Sequence, residues 1–202
     1  DCTFTNNTSL GTTTAGSGGA IFYSGVDNID IDGCSFTGNT ALRAGGAIEV
    51  AINGTGILTI NNTDFDSNSV SGPPGNGGAL HITGAANSEL TNVTATNNTA
   101  ANEGGALWNG SGEMTLINVN LTGNIANGTS AVGATNPGDT GGGGLYNEGG
   151  AVIVSGNSSI NNNIADGAQS TGGGVLNAAG TFTATNIEIS GNQSNRAGGG
   201  IA

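Results

Sequence analysis

Two short motifs recur in step along the 202 residues of this chain, and together they leave few folds open to it. The first is Gly-Gly-Ala followed by Ile or Leu, at residues 18–21, 45–48, 77–80 and 104–107. Degenerate copies end at Leu145, Val175 and Ile201, so the closing apolar residues are spaced 27, 32, 27, 38, 30 and 26 apart. The second motif sets an Asn three residues after a mostly apolar position: Phe4/Asn7, Phe36/Asn39, Phe65/Asn68, Ala95/Asn98, Leu121/Asn124, Ile160/Asn163 and Ile189/Asn192. Two motifs sharing one irregular period seven times mark a repeat architecture.

Between them lies an apolar segment with period-2 alternation: Ile29/Ile31, Leu58/Ile60, Ser88/Leu90, Met114/Leu116, Val152/Val154 and Phe182/Ala184. Alternation of this kind reads as strand, so each unit holds three short strands separated by turns. Strands this short bury no apolar face alone. Stacked units do, each strand pairing with its equivalent one coil on at ~4.8 Å. The expected fold is all-β, a right-handed parallel β-helix or β-solenoid of about seven coils of three strands each. The hand follows from the preference for right-handed crossovers between parallel strands, and seven coils at that rise span roughly 34 Å. Residues 1–202 form a single solenoid domain. Because the chain opens inside one unit and closes inside another, it reads as a segment of a longer or polymerising surface protein.

The corners carry their own signal. A column two or three residues after the alternating segment reads Gly33, Asn62, Asn92, Asn118, Asn157 and Asn186. Only Gly, Asn and Asp take left-handed backbone geometry at low cost. The column Asn7, Asn39, Asn68, Asn98, Asn124, Asn163 and Asn192 forms a second corner. Both columns are read as asparagine ladders, with amides hydrogen-bonding up and down the stack.

Composition excludes other classes. The 40 Gly oppose helix, and three Pro without a three-residue Gly period exclude collagen. There is no Lys, and Arg43 and Arg196 face 14 acidic residues, for a net charge of −12. Phosphate recognition needs clustered basic residues, so nucleic acid is not an expected partner. The same imbalance opposes anionic lipid, and no run approaches the ~20 apolar residues of a membrane helix, so direct membrane insertion is not expected.

The Gly-Gly-Ala-Ile and Phe-x-x-Asn motifs resemble the repeats of the polymorphic outer membrane protein family across essentially the whole chain. The resemblance implies a right-handed β-helix exposed at a cell surface and acting as an adhesin. The membrane barrel that ends such autotransporters is missing from these 202 residues, so that secretion route does not carry over.

Parallel β-helices also include pectin lyases and polygalacturonases, so a polysaccharide-degrading enzyme is the alternative reading. Fold alone is a weak warrant for it. Resemblance to those lyases would call for an Arg or Lys base, and the two Arg lie five coils apart. Of the polygalacturonase motifs only Asn62-Thr63-Asp64 has a counterpart. Asp64 and Asp66 flank inward Phe65 and read as a solvated edge. Asp27, Asp30 and Asp32 read as an exposed strand rather than a calcium site, and His81 is the only His. No catalytic residue, metal or cofactor is assigned.

Cys2 and Cys34 each stand two residues before a motif Phe, so they share a column in adjacent coils. Their Cα separation of roughly 4.8 Å is compatible with a disulfide, which would staple the first coil to the second and imply export. The residues following the inward Ile, Leu and Val of the Gly-Gly-Ala strand point outward: Phe22, Glu49, His81, Trp108, Tyr146 and Leu176. The aromatic stripe Phe22, His81, Trp108 and Tyr146 is a candidate surface for glycan stacking or for another protein. The competing reading is that the chain's own longest insert, 126–140, covers it. The expected function is a non-enzymatic, extracellular, cell-surface element, structural or adhesive. Its expected partners are host or cell-surface proteins, glycans, or copies of itself stacked head to tail into filaments.

Overall fold

The computed structural model describes residues 1–12, 16–128 and 140–202. They form a parallel β-solenoid in which every strand pairing is parallel and joins equivalent positions of neighbouring coils. Among the described residues there is no helix.

Each coil contributes four strands, not three. The Phe-x-x-Asn sheet has seven strands, from Thr3–Thr5 to Glu188–Ser190. A second seven-stranded sheet, from Thr8–Ser9 to Gln193–Ser194, consists of two-residue strands just past each ladder Asn. The Gly-Gly-Ala sheet runs from Ile21–Gly25 to Val175–Asn177, and the alternating sheet from Ile29–Asp32 to Thr181–Ala184, with six strands each. The two-residue strands escape pattern reading because two positions cannot show an alternation. Their trace is a buried apolar residue in the five inner strands, at Ala41, Val70, Ala100, Ala126 and Ala165.

Register is set by the inward residues. Ile48, Leu80, Leu107, Leu145 and Val175 stack in one fully buried column. Phe4, Phe36 and Phe65 stack ring on ring in another, with centroids 4.6 and 5.0 Å apart. Each such side chain taken from water contributes roughly 1.5–3 kcal/mol. A slip of one residue would turn every one of them outward.

The two glycines of Gly-Gly-Ala serve different ends. The first has a left-handed backbone in all seven copies, for example φ 60° at Gly45 and 63° at Gly104. The second lies against the next coil: a Cβ on Gly46 would sit 2.0 Å from the carbonyl oxygen of Gly78. The third position has room, and Ala47, Ala79 and Ala106 occupy it fully buried.

The first Asn column is a continuous ladder. Asn68, for example, donates its backbone N–H and its Nδ2 to Oδ1 of Asn98, both at 2.9 Å, and Nδ2 also reaches the carbonyl of Phe36. The same double link joins Asn7, Asn39, Asn68, Asn98, Asn124, Asn163 and Asn192 without a break. Left-handed backbone falls one residue earlier, at Asn6, Gly38, Ser67, Asn97, Gly123, Asn162 and Gly191.

The second column is left-handed at Gly33, Asn62, Asn92, Asn118 and Asn186 as expected, but Gly156 takes the place assigned to Asn157. That turn is one residue longer, since Ile117 pairs with Ser155 while Asn120 pairs with Ser159. Its ladder is exposed and partial. Asn118 donates to Asn92, Asn92 to Asn62 and Asn62 to Asp32, at 3.1, 3.0 and 2.9 Å. At the other end the backbone N–H of Asn157 donates to Asn118.

Candidate functional site: the outer face of the Gly-Gly-Ala sheet

The pairings bring Phe22, Glu49, His81, Trp108, Tyr146 and Leu176 into one column, coil by coil, as the spacing predicts. What the sequence does not show is how deeply most of them are covered. Phe22 is 53 % exposed, but Glu49, His81, Tyr146 and Leu176 are only 3, 5, 3 and 5 % exposed. The insert proposed to cover the stripe lies mostly in 129–139, outside the described residues.

The rings do not lie flat toward solvent. His81 and Trp108 have centroids 4.3 Å apart, and Trp108 stacks on Tyr146 at 5.9 Å with 7° between planes. Parallel pairing spaces equivalent residues at ~4.8 Å, close to the thickness of a stacked ring pair, so each ring covers its neighbour's face. Trp108 therefore has both faces occupied and presents its edges, an arrangement that does not receive a sugar ring by stacking. Phe22, whose pairing neighbour is Glu49, keeps an open ring.

A polar cluster sits at the Phe22 end of the stack. Thr83 Oγ1 donates to Glu49 Oε1 at 3.0 Å and lies 3.2 Å from Nδ1 of His81, from which it can accept. His81 Nδ1 is itself 3.6 Å from Glu49 Oε1. From the preceding corner Arg43 Nη1 reaches Glu49 at 3.4 Å and Ser17 Oγ at 2.9 Å. Burial raises the Glu49 pKa, but the hydrogen bond and charge of His81, the Ser17 hydroxyl and the Arg43 charge outweigh it, and the pKa falls to about 2. One coil on, Trp108 Nε1 donates to Glu103 Oε2 at 3.1 Å, across the Gly-Gly turn.

Reading by motif missed this cluster. Arg43, Ser17 and Glu103 stand before the repeat Gly pair at positions with no common residue type. Only the bend of the corner carries them over the sheet. A third ladder was also missed: Asn109 donates to Asn147 at 2.9 Å and Asn147 to Asn177 at 2.7 Å, on the inward side of the same strands, with Asn109 and Asn147 fully buried. Its signal was the Asn two residues after Leu107, Leu145 and Val175.

The expected Cys2–Cys34 disulfide is not formed, and both thiols are free. The two do share a column, since Ser35 N–H donates to the Cys2 carbonyl at 2.8 Å. However, Cys34 is buried with Sγ turned to the carbonyl of Asp32 at 3.3 Å, while Cys2 is exposed. Thr63, next in that column, turns its hydroxyl likewise to the carbonyl of Asn61. Vertical stacking fixes the Cα separation and leaves χ1 to local hydrogen bonding.

The acidic pairs stay apart from this face. Asp64 and Asp66 flank buried Phe65 on another sheet, and Asp32 is held by Asn62 in the exposed ladder. Among the described residues no three His, Cys, Asp or Glu side chains form a metal-binding group.

Residues 1–24 and 33–51 match the family model described as the Chlamydia polymorphic membrane protein repeat. Both matched segments lie in the first two coils. Later coils continue the same motifs in the same columns. No curated protein and no solved structure matches the chain.

Proposed function

We propose that this solenoid is a non-enzymatic structural and adhesive element of an extracellular cell surface. The observation carrying this reading is the unbroken ladder from Asn7 to Asn192, buried from Asn39 to Asn163, which ties every coil to the next by two side-chain-directed hydrogen bonds. A rod joined in this way is stiff and offers a protease few openings. The match of the first coils to a membrane-protein repeat supports a surface setting.

Carbohydrate chemistry is disfavoured by the same geometry. Glu49 and His81, the acid and base best placed for it, are spent on each other, Arg43 and Thr83, and their burial keeps a substrate away. The surface for partners is the rim of the stripe, where Phe22 offers an open ring and Trp108 an edge. Cell-surface proteins, glycans and copies of the chain are the partner classes.

Binding to cells and to a glycan array, measured for the wild type and for Phe22→Ala and Trp108→Ala variants, tests this role. Saturable binding that the variants weaken supports it. A polysaccharide panel is the second arm. New reducing ends or unsaturated products, lost in Glu49→Gln, would replace the reading with the enzyme.

A further inference from the structure

Among the described residues four buried side-chain atoms lack a hydrogen-bond partner: Asn76 Oδ1, Ser88 Oγ, Asn102 Oδ1 and Asn109 Oδ1. Two have a plain cause. Asn109 ends the third ladder and is paired with Ile82, which has no donor to offer. Ser88 stands in an apolar column between Leu58 and Met114. Asn76 and Asn102 are different, because both adjoin one carboxylate.

Asn76 is the bridge partner of Glu103 in the next coil, and Gly77 N–H donates to the Glu103 carbonyl at 2.9 Å. Paired residues project to the same face, so the Asn76 amide stands beside the Glu103 side chain. Asn102 donates Nδ2 to Glu103 Oε1 at 3.1 Å, which fixes its amide and leaves its oxygen unpaired. Asn76 and Asn102 are 7 and 1 % exposed. The corner holding them is tight, since the N–H groups of Asn102 and Glu103 both point to the Gly75 carbonyl, at 2.8 and 3.4 Å.

Unpartnered buried oxygens are costly and rare. These two belong to amides that adjoin the Glu103 carboxylate, and amide and carboxylate oxygens are the donor chemistry of a hard cation. We propose that Asn76 Oδ1, Asn102 Oδ1 and the Glu103 carboxylate bind a divalent hard cation of the calcium class, with water completing its shell. The cation bridges the third and fourth coils at the Gly75 corner. A set with one carboxylate corresponds to weak sites, with Kd on the order of 10⁻⁴–10⁻³ M. The surplus of 14 acidic over 2 basic residues raises the local cation concentration. This proposal is independent of the adhesive role.

The only Trp provides the test, because Trp108 Nε1 donates to Glu103. Terbium bound at Glu103 lies within sensitising distance of the indole. Excitation of Trp108 in the presence of terbium should give saturable lanthanide emission that calcium displaces. Glu103→Gln and Asn76→Ala should each raise the apparent Kd at least about ten-fold while the β-type circular dichroism is kept. Asp64→Asn with Asp66→Asn, on another face, should leave it unchanged. Trp108→Phe should abolish sensitised emission yet keep calorimetric calcium binding. The proposal is overturned if emission is absent and calcium gives no heat, which assigns the orphaned oxygens to water. It is equally overturned if emission survives Glu103→Gln, or is lost with the Asp64/Asp66 pair as adventitious binding.

Discussion

Asn98 and Asn124, one coil apart, are joined twice: the backbone N–H and the Nδ2 of Asn98 both donate to Oδ1 of Asn124, at 2.9 and 3.0 Å. Asn98 in turn receives both bonds from Asn68. Replacing it by Ala therefore strands the Asn68 donors and the Phe65 carbonyl inside the fold. Each buried orphan costs about 1–3 kcal/mol, so Asn98→Ala should lose at least about 3 kcal/mol in urea unfolding. Asn92→Gly, in the exposed ladder, keeps the left-handed backbone and should cost under about 1 kcal/mol. Equal losses would contradict the distinction between the ladders.

Gly46 tests the close approach of the coils. A Cβ there meets the Gly78 carbonyl oxygen at 2.0 Å and the Ser69 nitrogen at 2.7 Å. Both are backbone atoms of the next coil and cannot rotate away. Gly46→Ala should destabilise by about 3 kcal/mol or more and lower soluble yield. Ala47→Gly, one residue on, should cost only about 1 kcal/mol. Thermal melts followed by circular dichroism compare the two.

Acid should weaken the outer cluster. The folded pKa of Glu49 is depressed from 4.5 to about 2, so the carboxylate contributes stability that is present above the unfolded value and lost as pH falls toward 2. Melting temperatures of the wild type and Glu49→Gln, taken from pH 7 to 2, should differ most above pH ~4.5 and converge near pH 2. A gap that stays constant over this range would mean that Glu49 is not held by charge.

Ser88 offers a stabilising change. Its hydroxyl is buried between Leu58 and Met114 with no partner. Ser88→Ala removes an unsatisfied group and should raise stability by about 1 kcal/mol. An unchanged or lowered unfolding midpoint would point to a buried water on that oxygen.

Fold and register were legible because they rest on local rules repeated seven times. Apolar alternation, Gly at forced left-handed positions and Asn at ladder positions each leave a residue type at a fixed offset, so Phe36 over Phe65 and His81 beside Trp108 could be aligned by counting. The two-residue strands were not legible, being too short for a period. The position of Gly156 was hidden by a one-residue longer turn, and the free thiol of Cys34 by a rotamer that spacing does not constrain.

Sequence alone determined the parallel solenoid, its columns and the first ladder, since these need only a repeat length and the geometry of a pleated backbone. The tertiary structure decided what each outer face is made of. Arg43, Ser17, Asn76 and Glu103 sit in corners outside the motifs, and only the path of those corners brings Arg43 and Ser17 to Glu49, Glu103 to Trp108 and Asn76 to Glu103. Stacking spacing likewise decided that the aromatic rings cover one another. Contacts between groups distant in sequence depend on the shape of the turns, which residue type at an offset does not encode.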